Sequence, residues 1–129
     1  MNSKRLIFGI ITLLLVGVLV GGCGGDKYDK NVQTVRNGRF YMTPNVPVGK
    51  AFDQFFSDGK WHSFTSTDNE TIVEFTGGCT WYNAPAKMLV QFNVEGENFV
   101  LRYVDINGVA MNFEDSASIL EKVLSEYKH

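Results

Sequence analysis

"AKMLVQFNV", residues 86–94, alternates: Met88, Val90, Phe92 and Val94 fall on one side, with Lys87, Gln91 and Asn93 among the residues on the other. Successive side chains of a strand point to opposite faces, so this pattern predicts an antiparallel strand with one buried and one wet face. Similar runs lie on either side of it. "KWHSFTST" covers about 60–67, "ETIVEFTGGCTWY" about 70–82 and "FVLRYVDI" 99–106. In the last of these, strict alternation sets Phe99, Leu101 and Tyr103 opposite Val100, Arg102 and Val104. Asp68-Asn69, Asn83-Ala84-Pro85, Glu95 to Asn98 and Asn107-Gly108 supply turn chemistry between and after the runs. Turns this short join antiparallel neighbours, so the expectation is a four-stranded meander. The paired Gly77-Gly78 inside one run predicts a bulge or bend there.

A meander with one apolar face needs a cover, and two helices are legible. Val48, Ala51, Phe52, Phe55 and Phe56 recur at i, i+3, i+4, i+7 and i+8, with Pro47 at the start and Asp58-Gly59 expected as the stop. Near the C-terminus Ala117, Ile119, Leu120, Val123, Leu124 and Tyr127 form a second stripe, and Asp115 or Ser116 is expected to cap it. The fold class expected is α+β: a two-layer sandwich, the meander covered by an N-terminal and a C-terminal helix. "VQTVRNGRFYM" is read as a short strand or hairpin turning at Asn37-Gly38.

The N-terminus is of a different character. Lys4 and Arg5 precede an apolar run from Leu6 to Val20, the layout of a secretory signal peptide. Leu6 to Gly22 is shorter than the about 20 apolar residues a spanning helix needs, although a single-span anchor is the rival reading. Val20-Gly21-Gly22-Cys23 resembles the lipobox of bacterial lipoproteins. That resemblance implies cleavage before Cys23 and a diacylglyceryl thioether on its sulfur, with fatty-acyl chains of the palmitate kind. Two or more chains hold a protein stably on a bilayer, at roughly 0.8 kcal/mol per buried methylene. The expected organisation is therefore a signal peptide at 1–22, a lipidated tether at 23–31 and one α+β domain at 32–129. Gly24, where Asp would favour inner-membrane retention, points to an outer membrane if the cell has one.

Without residues 1–22 the chain keeps 10 Lys/Arg against 14 Asp/Glu, a formal charge of −4. A negative domain argues against nucleic-acid partners and against attraction to anionic headgroups. With Cys23 acylated, Cys79 has no partner for an intramolecular disulfide; a buried small hydrophobe, a reactive thiol and an intermolecular bridge are its possible uses. No HExxH, phosphate loop or GxSxG occurs, and His62 lies on a strand with no nucleophile placed beside it. No catalytic residue, cofactor site or metal site is expected. Glu74, within an apolar strand, is expected on its solvent face.

Aromatic residues make up 13% of the chain, enough for more than one small core. Trp61, Trp81, Tyr82 and Tyr103 are the candidate partner-binding residues, since exposed Trp and Tyr anchor protein interfaces; a thick aromatic core is the competing use of the same rings. The pattern Gly49, Ala51, Phe52, Phe55, Phe56, then Trp61 and Phe64, then Val73 to Gly77, then Gln91-Phe92 resembles a group of small extracytoplasmic bacterial proteins of unknown function. The resemblance implies export and the extent of the domain, and no activity. The functional expectation is a non-catalytic, membrane-anchored envelope lipoprotein that binds an envelope protein. The alternative is a binder of a small apolar or amphiphilic ligand between helices and sheet.

Overall fold

The computed structural model describes residues 27–129, so the signal, the lipobox and Cys23 lie outside the described residues. Within it the chain runs α1 (Lys30–Arg36), α2 (Val48–Phe55), β1 (Ser57–Thr65), β2 (Thr71–Trp81), β3 (Ala84–Glu95), β4 (Asn98–Ile106), β5 (Val109–Ala110) and α3 (Phe113–Ser125). The strands form one antiparallel sheet in the order β1-β2-β3-β4-β5. The class is α+β with a meander, as expected. There are five strands instead of four because the chain after Asn107-Gly108 returns for two residues beside β4.

The largest departure is α1. The expected hairpin at 32–42 is absent and helix α1 begins within the expected tether, at Lys30. Asp29 caps it: the carboxylate Oδ1 accepts from the Val32 amide at 2.8 Å. Asn37 ends the helix instead of turning a hairpin. Val32 and Val35 are buried, one turn apart, and α1 crosses the inner face of β1 to β4. Gly38 allows this crossing, because a Cβ there would lie 2.3 Å from the Phe99 ring.

Helix α2 carries its expected face inward, with Val48, Ala51 and Phe52 buried and Phe55 half-buried. Pro47 caps it, but Asp58-Gly59 is not its stop. The helix ends at Phe56 in extended backbone, and Asp58 and Gly59 belong to β1. There the register slips between Ser57 and Lys60 opposite Gly78 and Thr76, so the bulge sits in β1 and not at Gly77-Gly78. Gly77 pairs regularly with Met88; its missing side chain is needed because a Cβ would lie 2.7 Å from the Phe75 ring. Arg36 joins the two helices. It donates to both carboxylate oxygens of Asp53 at 3.0 Å and lies over the Tyr28 ring at 4.6 Å.

The core is built from rings. Phe52 meets Phe75 edge-on at 4.9 Å and Trp61 at 5.4 Å; Phe40 meets Phe99 edge-on at 5.2 Å; Phe92 lies between the two groups. Contacts of this kind add about 0.5–1.5 kcal/mol each beyond area burial. Helix α3 closes the far side with Ile119, Leu120, Val123 and Leu124, and its cap is Asn112, not Asp115 or Ser116. Asn112 Oδ1 accepts from the Asp115 amide at 2.7 Å.

Strand β4 corrects one further expectation. Gln91 faces Tyr103 but Phe92 faces Leu101, so Arg102 is an extra, unpaired residue. A one-residue bulge flips everything beyond it. Tyr103 thus leaves the face of Leu101 for the outer face, and Val104 enters the core with no exposure.

Candidate functional site

The outer face of the sheet is polar but well knitted. Gln91 donates to Glu74 Oε1 at 2.8 Å and accepts from Arg102 at 2.9 Å. Asn93 donates to Glu70 at 3.2 Å, and Arg102 reaches the same carboxylate at 3.6 Å. His62 stands 3.9 Å from the other Glu74 oxygen. Glu74 therefore lies on the outer face, as its alternation predicts, with one carboxylate oxygen hydrogen-bonded to Gln91. Ile72 and Val100 are buried beneath this layer. Its polar groups bond to one another and leave few sites for a ligand.

The four candidate aromatics separate. Trp61 is half-buried among Phe52, Phe75 and Phe92, with Arg36 5.6 Å from its ring, and serves the core. Tyr103 lies on the outer face and donates to Asp105 Oδ2 at 3.1 Å. Partial burial pushes its phenol pKa up, and the bond to Asp105 and that residue's negative charge push the same way. Only Trp81 and Tyr82 stand together, edge to face at 5.7 Å, where β2 turns into β3.

Beside them a groove of about 570 Å³ opens between that turn and α3. Trp81, Tyr82, Ile106, Met111 and Ile119 make it apolar, and Asp115, Ser118 and Lys122 add polar groups from α3. Met111 is held there by its amide, which donates to the Val104 carbonyl at 2.9 Å. Lys122 donates to Glu126 at 2.7 Å, one turn on. Sequence reasoning missed Ile106, Met111 and Ile119 as site residues. Ile106 closes a strand run and Ile119 belongs to the α3 stripe, so both read as core positions, and Met111 lies in the link between β5 and α3, where no period marks it.

Among the described residues in left-handed backbone, the others being Gly, Asn and Asp58, Tyr82 is the bulky one and its conformation the costliest. Trp81 pairs with Ala84, so Tyr82 and Asn83 form a two-residue turn, and both have positive φ, 51° and 63°. That backbone suits Asn and Gly; for other residues it costs about 1–2 kcal/mol. The Tyr82 side chain is 89% exposed, so little packing offsets the cost.

The Asp29 corner lies at the other end of the sheet. Asp29 Oδ2 accepts from Ser63 Oγ at 2.6 Å, and Ser63 pairs with Val73 on β2. From Val73 to Trp81 a strand covers about 26 Å, at roughly 3.3 Å per residue. Cys79, on β2 between them, is half-buried, and burial pushes its thiol pKa up.

Among the described residues no group of three His, Cys, Asp or Glu side chains is arranged to hold a metal ion, and no helix is long and apolar enough to cross a membrane. Compared with models of protein families, with curated proteins and with solved structures, the chain matches none.

Proposed function

We propose that this chain is a lipid-anchored protein of a bacterial cell envelope that acts without catalysis, by docking a protein in the Trp81–Tyr82 groove. One observation carries the docking reading: an almost fully exposed tyrosine is kept in left-handed backbone at the rim of an apolar groove. Strain of this kind persists where a function uses it. The anchoring reading rests on Lys4, Arg5, the apolar run and Val20 to Cys23. The two readings fit together in space. The described chain begins beside the Asp29 corner, and the groove lies at the opposite end of the sheet, so an anchor on the N-terminal side would not need the groove.

Catalysis needs a nucleophile, a base and an orienting group that converge. In the groove, Asp115, Ser118 and Lys122 are instead strung along one helix. Docking is preferred to an amphiphilic ligand between helices and sheet because Phe40, Phe52, Phe75 and Phe92 occupy that layer.

A photoreactive benzophenone side chain in place of Tyr82, in the full chain in its native membrane, tests the docking. Protein adducts are expected on illumination, with none from the same group in place of Glu97, exposed in the turn between β3 and β4. Adducts to lipid alone, or none, would overturn the reading. Cys23→Ser tests the anchor: uncleaved precursor and loss of fatty-acid labelling are expected.

A further inference from the structure

The groove's own residues identify its partner class, granted that it docks protein. Asp115, Ser118, Ile119 and Lys122 line it from α3 at spacings of three, four and seven residues, and so form one stripe along the helix. The stripe is acidic at its N-terminal end and basic at its C-terminal end, and its midpoint falls between Ser118 and Ile119. We propose that the groove takes a second copy of this chain, the two α3 helices packing antiparallel about a two-fold axis at Ser118–Ile119.

A two-fold axis exchanges the ends of the stripe. Asp115 then faces Lys122 of the partner subunit, and Lys122 faces Asp115 of the partner subunit, so one contact is made twice. A foreign partner would have to bring the reversed charge pattern; a second copy already has it. Ser118 suits the axis because a small side chain lets two helices approach closely. Lys122 has three ammonium hydrogens and uses one on Glu126, so it can bond to a facing carboxylate as well.

The apolar surface is self-complementary too. Tyr82 projects beside a hollow formed by Ile106, Met111 and Ile119. Two more exposed apolar residues belong to this end of the fold: Phe113, 68% exposed, begins α3, and Val109, 62% exposed, pairs with the groove residue Ile106. An isologous contact would cover these on both copies.

Cysteine at the axis is the direct test, because a residue on a two-fold axis meets itself. The full chain carrying Cys79→Ser is expressed in its native membrane with either Ser118→Cys or, as control, Glu97→Cys in the exposed turn between β3 and β4, away from α3. After oxidation with copper phenanthroline, the Ser118→Cys chain is expected to give a disulfide-linked homodimer at several times the control yield. Adding Asp115→Lys should lower that yield at least fivefold, and adding Lys122→Asp as well should restore it to within twofold. A yield equal to the control, or one unmoved by the single charge reversal, overturns the proposal. An adduct of Ser118→Cys with a different protein also overturns it, while leaving the groove a docking site. No adduct from Ser118→Cys together with none from the photoreactive group at 82 removes both readings.

Discussion

Two turns of this sheet share one backbone geometry and differ in what they do with it. Asn107-Gly108 joins β4 to β5 with φ values of 53° and 83°; Tyr82-Asn83 joins β2 to β3 with 51° and 63°. Asn107-Gly108 is the residue pair that such a turn favours. Asn107 is also tied in, since its Oδ1 accepts from the Lys87 amide at 2.8 Å and its own amide donates to the Lys87 carbonyl at 2.8 Å. Tyr82 has only the edge of Trp81. One turn is composed for stability. The other keeps an unfavourable residue whose side chain faces outward, and the difference marks the end of the molecule where binding is to be sought.

The largest effect should come from neither turn. Phe92→Ala removes the ring between the two aromatic groups and should cost about 3–5 kcal/mol. Urea unfolding measures it, and a loss below 1 kcal/mol would show that the ring core does not hold the sheet. Gly108→Val should cost about 1–2 kcal/mol, since a branched residue is forced into left-handed backbone. Thermal unfolding should show a clear fall in Tm. Tyr82→Asn with Asn83→Gly should move the other way and stabilise by about 1 kcal/mol, while lowering the yield of the Ser118→Cys homodimer. A fall in Tm would show that Tyr82 packs for stability, and the contrast between the turns would collapse. The smallest effect concerns Cys79. Its raised thiol pKa leaves less thiolate at neutral pH than an exposed thiol has, so iodoacetamide should label it more slowly at pH 7.5 than it labels a short cysteine peptide. Equal rates would show that β2 does not shield it.

Period alone made the strands and two of the helices legible. Met88 to Val94 declares two faces, and Val48 to Phe56 declares a stripe. Helix α1 was not legible because seven residues hold only two apolar positions, Val32 and Val35, and Asn37-Gly38 carries a strong hairpin signal. Its cue was Asp29, a capping residue three positions before Val32. The bulge at Arg102 was hidden for another reason. Val-Leu-Arg-Tyr-Val alternates acceptably in either register, and only pairing with β3 decides where the extra residue goes. The site was half legible. Trp81 and Tyr82 were named with Trp61 and Tyr103 by residue type, but exposure depends on register and on where a strand ends. The turn at Tyr82-Asn83 falls one residue earlier than Asn83-Ala84-Pro85 predicts, and that step put the tyrosine at the tip.

The Asp29 corner has a mechanical consequence. One carboxylate holds the first turn of α1 with Oδ1 and the hydroxyl of Ser63 with Oδ2. Tension applied at residue 28 is therefore split at its point of entry between a helix lying across the strands and β1, an edge strand held by a single neighbour. Neither element takes the whole load, and Tyr28 adds a further tie, through the Arg36 guanidinium over its ring, to Asp53 on α2. Replacing Asp29 would remove the direct tie to β1 and leave the load on α1 and the Tyr28 contacts.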